Sequence, residues 1–203
     1  MLLKTIDYVA LFYLIMLLWK PFFWFVFHPA IGYWRRVGSR SLWVALPVWL
    51  TFAAVTILLR HVLFARRFER NAFTWAAGSL LFLVALWLDI QTQQSFGWRR
   101  LAGLPEINPR HRLSGVVRTG IYAHLRHPRY LLYMLMIFSM ALLTGALPIF
   151  LLAFLNVLVY QILAPLEERK LLDQYGAQYE DYRRSVPRFV PRLGRTRETR
   201  ISS

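Results

Sequence analysis

Two short segments of this 203-residue chain gather side chains able to bind or move a charged group. One is Thr119-Gly120-Ile121-Tyr122-Ala123-His124-Leu125-Arg126-His127-Pro128-Arg129-Tyr130. The other is Pro165-Leu166-Glu167-Glu168-Arg169-Lys170. Pro128 suits the first turn of a helix, where its missing N–H leaves no bond unmade. His127 then falls at the cap, and the helix start offers free backbone donors and the positive end of its dipole. With Arg126 and Arg129 adjacent, this is a ready site for a carboxylate or phosphate. Glu167 opposite attracts an ammonium or accepts from hydroxyls. His28, His61, His111 and His124 have no metal-ligand spacing, and the absence of cysteine excludes thiolate metal sites, disulfides and cysteine nucleophiles, so no metal is expected.

The elements that must position these residues are membrane helices. The chain is 57% apolar and 16% aromatic yet carries a net charge of +15, with only 17% charged residues. A soluble, basic nucleic-acid binder of this length has no need of so much apolar surface, so no nucleic-acid partner is expected. Leu42–Leu59 and Asn71–Leu88 hold no ionisable side chain. Neither does Leu131–Leu166, which as one helix would reach ~54 Å against a hydrocarbon core of ~30 Å. It must fold back, and Thr144-Gly145-Ala146-Leu147-Pro148 is the turn-like stretch near its middle. Tyr8–Phe27 is a further span, interrupted by Lys20-Pro21, which predicts either one kinked helix or two short interfacial pieces. The expected fold is all-α and integral to the membrane, with about five transmembrane helices, the last two a tight hairpin, and a short amphipathic C-terminal segment.

Basic residues assign the sides. Nineteen Lys and Arg fall in the 28–41 loop, the 90–130 loop and the segment after Leu166, against Lys4 and the four arginines Arg60, Arg66, Arg67 and Arg70. The central loop and the C-terminus are therefore expected in the cytosol. The hairpin brings both motif segments to one mouth there. A ligand with a carboxylate, an ammonium, a ribose and an aromatic base would fit that mouth, and S-adenosylmethionine has all four. Plainer roles exist for each residue: Arg and His as interfacial anchors, the two glutamates as a solvated helix end, Tyr122, Tyr130 and Tyr133 as an aromatic belt. Asn156 and Gln161, inside the fifth helix, are expected to make interhelical hydrogen bonds.

Together the two segments resemble the isoprenylcysteine carboxyl methyltransferase family and its phospholipid-methyltransferase relatives. The likeness rests on Thr119 to Tyr122, Arg126 to Tyr130 and, across the hairpin, Glu167-Glu168, Leu171, Tyr175-Gly176, Tyr179, Tyr182 and Val186-Pro187-Arg188. It covers roughly residues 113–192, the first three spans matching only as generic membrane helices. The resemblance implies S-adenosylmethionine-dependent methyl transfer at the cytosolic membrane face, with a pocket closed by the C-terminal segment and a hydrophobic acceptor entering from the lipid. It puts His127, Pro128, Arg129 and Tyr130 on the cofactor-binding stretch, Glu167 on its acidic partner and Tyr122 on an upstream tyrosine. Ser114 to Val117, with Val116 and Val117 closest in character, fall near an earlier cofactor strip. Arg126 and Glu168 are the candidates for catalysis. Two departures stand out: Leu132 replaces a small residue, and Leu163 replaces an Arg that in prenylcysteine enzymes is matched to the acceptor carboxylate. The larger side chain of Leu132 is expected to narrow the acceptor tunnel or the cofactor's approach, and Leu163 argues against a prenylcysteine carboxylate as substrate and leaves the acceptor open.

Leu171, Leu172, Tyr175, Tyr179 and Tyr182 form one apolar-aromatic face. That face suits either a lid or a membrane-surface helix, with Gly176 breaking it in two. The expected division is 1–112 for the N-terminal helices and loop, 113–192 for the methyltransferase-like core and 193–203 for a disordered basic tail. An Arg-to-Lys ratio of 22 to 3 suits a GC-rich bacterial genome, and so a bacterial inner membrane. The rival readings are an NADPH-dependent membrane reductase of the sterol-reductase type and a non-enzymatic protein that binds anionic lipid.

Overall fold

The computed structural model describes residues 2–27, 41–96 and 115–191. Among these, seven α-helices follow in order: α1 (Leu2–Phe27), α2 (Ser41–Leu58), the single turn α3 (Arg60–Leu63), α4 (Ala72–Phe96), α5 (Pro128–Thr144), α6 (Leu147–Tyr175) and α7 (Ala177–Ser185). A 3-10 turn, Gly120–Ala123, precedes α5, and no strand forms among the described residues. Ser114, the arginines at 35, 36, 40, 99, 100, 110 and 112, and the 193–203 tail lie outside them.

Helix α1 is one continuous helix through Lys20 and Pro21, not two pieces. Helix α4 is started by Asn71, whose Oδ1 accepts from the Thr74 backbone N–H at 3.0 Å while Thr74 Oγ1 accepts from the Asn71 N–H at 3.0 Å. This reciprocal cap satisfies two donors that a helix start leaves bare. The helix then runs past Leu88, where Asp89 Oδ2 accepts from Gln93 Nε2 at 2.7 Å. Helix α5 ends at Thr144 because Gly145, at φ 70°, takes the left-handed turn that closes it; α6 restarts two residues later with Pro148 in its first turn.

Among the described residues, three helical stretches are long and apolar enough to cross a membrane: Leu3–Phe22, Ala72–Ser95 and Leu147–Tyr175. The apolar helices Trp43–Leu58 and Pro128–Thr144 are shorter. Leu80, Leu83 and Trp87 of α4 and Leu151, Phe154 and Leu158 of α6 face outward, as the lipid-facing surface of an all-α integral membrane protein requires. Inside, Leu14, Leu88, Ile137, Met140, Ile149 and Leu163 join α1, α4, α5 and α6 in one core.

Polar contacts between these helices come from an unexpected place. Ser139 Oγ donates to the Gly78 carbonyl at 2.8 Å, across the α4–α5 seam. A Cβ on Gly78 would lie 2.9 Å from Leu143, so the missing side chain is what lets the two helices approach. The predicted interhelical roles of Asn156 and Gln161 are not realised. Asn156 is buried with its Oδ1 unpartnered, and Gln161 is exposed.

The arginines between 60 and 70, out of place in the count of basic loops, have a structural task. The Phe68 N–H donates to Gly145 O at 2.9 Å and the Leu147 N–H to Arg66 O at 2.9 Å, so this segment lies against the α5–α6 turn. Arg70 Nη1 donates to Leu143 O at 3.1 Å and Arg67 Nη1 to Thr144 O at 3.3 Å. Both satisfy carbonyls that the end of α5 leaves open. Arg67 also pairs with Asp7, at 2.8 Å.

Candidate functional site

At the opposite end of α5 and α6 the two motif segments meet. His127 caps α5 and Pro128 occupies its first turn. Glu167 and Glu168 sit on α6 beyond its uncharged run, where good helix formers carry the helix on to Tyr175. Gly176, at φ 52°, then turns the chain into α7, and residues 186–189 return along the start of α5. The Arg126 N–H donates to Pro187 O at 2.9 Å and the His127 N–H to Arg188 O at 3.1 Å. The C-terminal segment is thus a strap across the mouth.

Glu168, 3% exposed, lies at the centre. Its Oε1 accepts from His127 Nε2 at 3.1 Å and Arg188 Nε at 3.0 Å, with Arg126 Nη2 at 3.2 Å; its Oε2 accepts from Arg188 Nη2 at 2.9 Å. Such a carboxylate can stay buried only because three cations surround it. Glu167, half-buried beside it, accepts from Tyr130 Oη at 2.7 Å and lies 3.5 Å from His127 Nδ1. Both imidazole nitrogens therefore face carboxylate oxygens, and only the imidazolium can donate to both. Burial is the largest single influence on His127 and pulls its pKa down. The bonds to Glu167 and Glu168 outweigh it and hold the pKa above the ordinary 6.5. The hydrogen bond to Glu168 raises the pKa of Arg188.

An aromatic column runs inward from the mouth. The His127 ring stacks on Tyr130 at 5.1 Å, Tyr130 stacks on Tyr160 at 4.5 Å, and Tyr160 lies 6.0 Å from Tyr133. Phe189 of the strap closes the outer end, 6.0 Å from His127.

The structure brings Arg126, His127, Pro128, Tyr130, Glu167 and Glu168 together. Arg129 turns inward, its Nε donating to Tyr133 Oη at 3.0 Å. Tyr122 is buried beneath the strap and linked to it through its carbonyl, which accepts from Tyr182 Oη at 2.7 Å. Val116 packs with Tyr179, Tyr182 and Val186 under α7, while Val117 packs against the main core. The aromatic face of the C-terminal segment therefore packs into the protein, with Tyr179 and Tyr182 both buried. Leu132 and Leu163, the two departures, are buried core residues. The sequence pattern gave Arg188 no role, placed Tyr179 in the motif and on the aromatic face of the C-terminal segment alone, and left Tyr160 out. The arginine could have been found from charge balance, since Glu168 in an enclosed mouth needs a partner.

Fold and site define a class: an all-helical integral membrane protein whose titratable groups converge where two helices leave the apolar layer. The chain belongs to the phospholipid methyltransferase family, whose model matches residues 73–178. That match takes in α4, which motif resemblance alone had not reached, and stops short of the strap. The chain is 38% identical over 79 residues to methanethiol S-methyltransferase 2 of Bradyrhizobium diazoefficiens, covering 39% of this chain and 30% of that protein. It is 32% identical over 76 residues to methanethiol S-methyltransferase of Crocosphaera subtropica, covering 37% and 29%. The match thus spans under a third of the length of either curated relative. No solved structure matches.

Proposed function

We propose that the protein is an S-adenosylmethionine-dependent methyltransferase acting at the cytosolic face of a bacterial inner membrane on a lipidic or small hydrophobic acceptor, with an alkanethiol as the first acceptor to test. The observation that carries this reading is the meeting of His127, Tyr130 and Glu167 with a strap-covered Arg126 at one mouth. Family membership supports methyl transfer over nicotinamide reduction, and the names of the two relatives suggest the thiol. We further infer five spans, with α5 and α6 as a hairpin and 113–192 as the unit that works on substrate.

The residues present fit the cofactor. Arg126 Nε and Tyr179 Oη are buried without a hydrogen-bond partner, as expected of donors that await a carboxylate. Half-buried Glu167 suits an ammonium or ribose hydroxyls, and the rings of His127, Tyr130 and Phe189 suit an aromatic base. When bound, the cofactor supplies a methyl group already activated as a sulfonium, whose sulfur keeps the electron pair of the broken bond. The protein's own share is to hold, orient and exclude water. Glu168, with three cations upon it, is a poor proton acceptor, and His127, with both ring nitrogens turned to carboxylates, has neither free to act as a base. We therefore assign Arg126 and Glu168, expected from the sequence to act in catalysis, to positioning: they fasten the strap and fix His127. A thiol acceptor would give its proton to water before transfer. Calorimetric titration of the detergent-solubilised protein with S-adenosylmethionine and with NADPH tests this reading. Heat from NADPH alone, or from neither, would overturn it.

A further inference from the structure

Two features of the interior have no part in the cofactor mouth. The first is Lys20. A lysine near the end of a membrane helix ordinarily extends to the headgroups, but Lys20 turns inward, with Nζ 5.2 Å from the centre of the Tyr133 ring, a residue only 6% exposed. Arg129 approaches the same ring, its Cζ 5.8 Å from the centre and its Nε on the hydroxyl. Two cations thus share one phenol, and Lys20 has no carboxylate partner among the described residues. The second is Tyr160. It is 1% exposed, stacks on Tyr130, lies beside Tyr133, and its hydroxyl has no hydrogen-bond partner. In a membrane interior no water stands by to satisfy such a group, so leaving it bare is costly.

We infer that Lys20, Arg129 and Tyr160 form the acceptor subsite, which holds an apolar molecule by a single anionic nucleophilic atom, a thiolate or a carboxylate. This rests on the methyltransferase reading above. Tyr160 is seven residues before Glu167 on α6, about 10 Å deeper along the axis at 1.5 Å per residue. An acceptor atom held there would lie inward of the mouth, beside the Tyr130 ring that stacks on Tyr160. Nearby positive charge favours the thiolate, the form that attacks, over the thiol. The Tyr160 hydroxyl supplies a hydrogen bond to the same atom. A phospholipid headgroup is the poorer occupant, because Tyr133 and Tyr160 are buried rather than set at the surface.

The test uses the full chain in detergent. Hexanoate should raise the melting temperature more than hexanol does. That preference should vanish in Lys20→Met, survive in Lys20→Arg and shrink in Tyr160→Phe. With hexanethiol as acceptor, KM should rise about tenfold in Lys20→Met and Tyr160→Phe while the affinity for S-adenosylmethionine stays unchanged. Tyr160→Phe should melt no lower than the parent, since the hydroxyl it removes has no partner in the free protein. Equal stabilisation of the parent by hexanoate and hexanol would overturn the proposal. So would a Lys20→Met variant that keeps the hexanoate preference, or one altered only in retention of anionic phospholipid. Failure to bind S-adenosylmethionine would instead remove the methyltransferase reading, and the alkanoate comparison would still decide the anion site.

Discussion

Arg188 meets Glu168 through two nitrogens at once, Nε on Oε1 at 3.0 Å and Nη2 on Oε2 at 2.9 Å, and so ties the C-terminal strap to a helix of the membrane core. Twenty residues and the α7 turn separate the two in sequence. The planar guanidinium is matched to the carboxylate edge, which an ammonium cannot reproduce.

The pair therefore sets how firmly the strap closes. Glu168→Gln leaves Arg126, His127 and Arg188 without their shared anion, and should cost about 3 kcal/mol, in the range for breaking one side of a buried ion pair. Arg188→Lys keeps the charge but loses the fork, and should cost about 1 kcal/mol. In both, S-adenosylmethionine affinity should fall along with the melting temperature, Glu168→Gln more than Arg188→Lys. Calorimetry and thermal melts of the two variants check the order. An Arg188→Lys variant that matched the parent in both measurements would show that the bidentate geometry is irrelevant.

His127 gives the strap a pH dependence of known sign. Its pKa in the folded protein is raised above the ordinary 6.5. The stabilisation it brings is thus fully present below that ordinary value and is lost as pH rises through the higher folded one. The release rate of S-adenosylmethionine should accordingly increase on the alkaline side, and His127→Gln should flatten that limb. Stopped-flow release measured across neutral and alkaline pH reads this directly.

Glycine positions separate the two ends of the molecule. A Cβ on Gly145 would meet the Phe68 carbonyl at 2.9 Å, in a residue already at φ 70°. Gly145→Ala should therefore destabilise the whole chain by about 2 kcal/mol and lower its melting temperature. Gly176, at φ 52°, has nothing within 4 Å of its would-be Cβ. Gly176→Ala should strain the start of α7 alone, speeding cofactor release with a smaller loss of global stability. Comparing melts with release rates for the two variants distinguishes global from local effects.

The parts of this architecture that depend on local chemistry could be read from the sequence. Pro128 placed the start of α5, Gly145 the turn and Gly176 the break before α7, because each answers to a backbone need of its own position. Helix ends were harder. An uncharged run marks where lipid contact ends, whereas α6 continues to Tyr175 and α4 to Phe96 because Glu, Lys, Leu and Gln favour helix in water as well. The site was legible as a set of residues but not as a set of bonds. Whether Glu168 is a base or an anchor depends on the path of residues 186–189, which no spacing within α6 encodes. Tyr160 looked like any aromatic of an apolar helix, and only its unpartnered hydroxyl separates it from the rest. In the sequence Lys20 only interrupts the first span, and that it turns inward depends on Tyr133 across the helix seam.

The basic residues at 60–70 lead to a prediction about orientation. Arg67 and Arg70 are bound to α5 carbonyls and Asp7, so their position reflects packing as much as topology. Arg67→Gln combined with Arg70→Gln should destabilise the protein by about 2 kcal/mol, one helix-end contact each. Arg60→Gln combined with Arg66→Gln should stay within about 0.5 kcal/mol, as for exposed surface changes. With those arginines discounted, the excess of basic residues in the remaining loops predicts a cytosolic Gln174 end of α6. The chain has no cysteine, so a single introduced one is a unique label. In intact cells an impermeant maleimide should react with Glu69→Cys, at the α5–α6 turn, and leave Gln174→Cys untouched until the membrane is opened. The reverse pattern would place the cofactor mouth outside the cell, where S-adenosylmethionine made in the cytosol could not reach it.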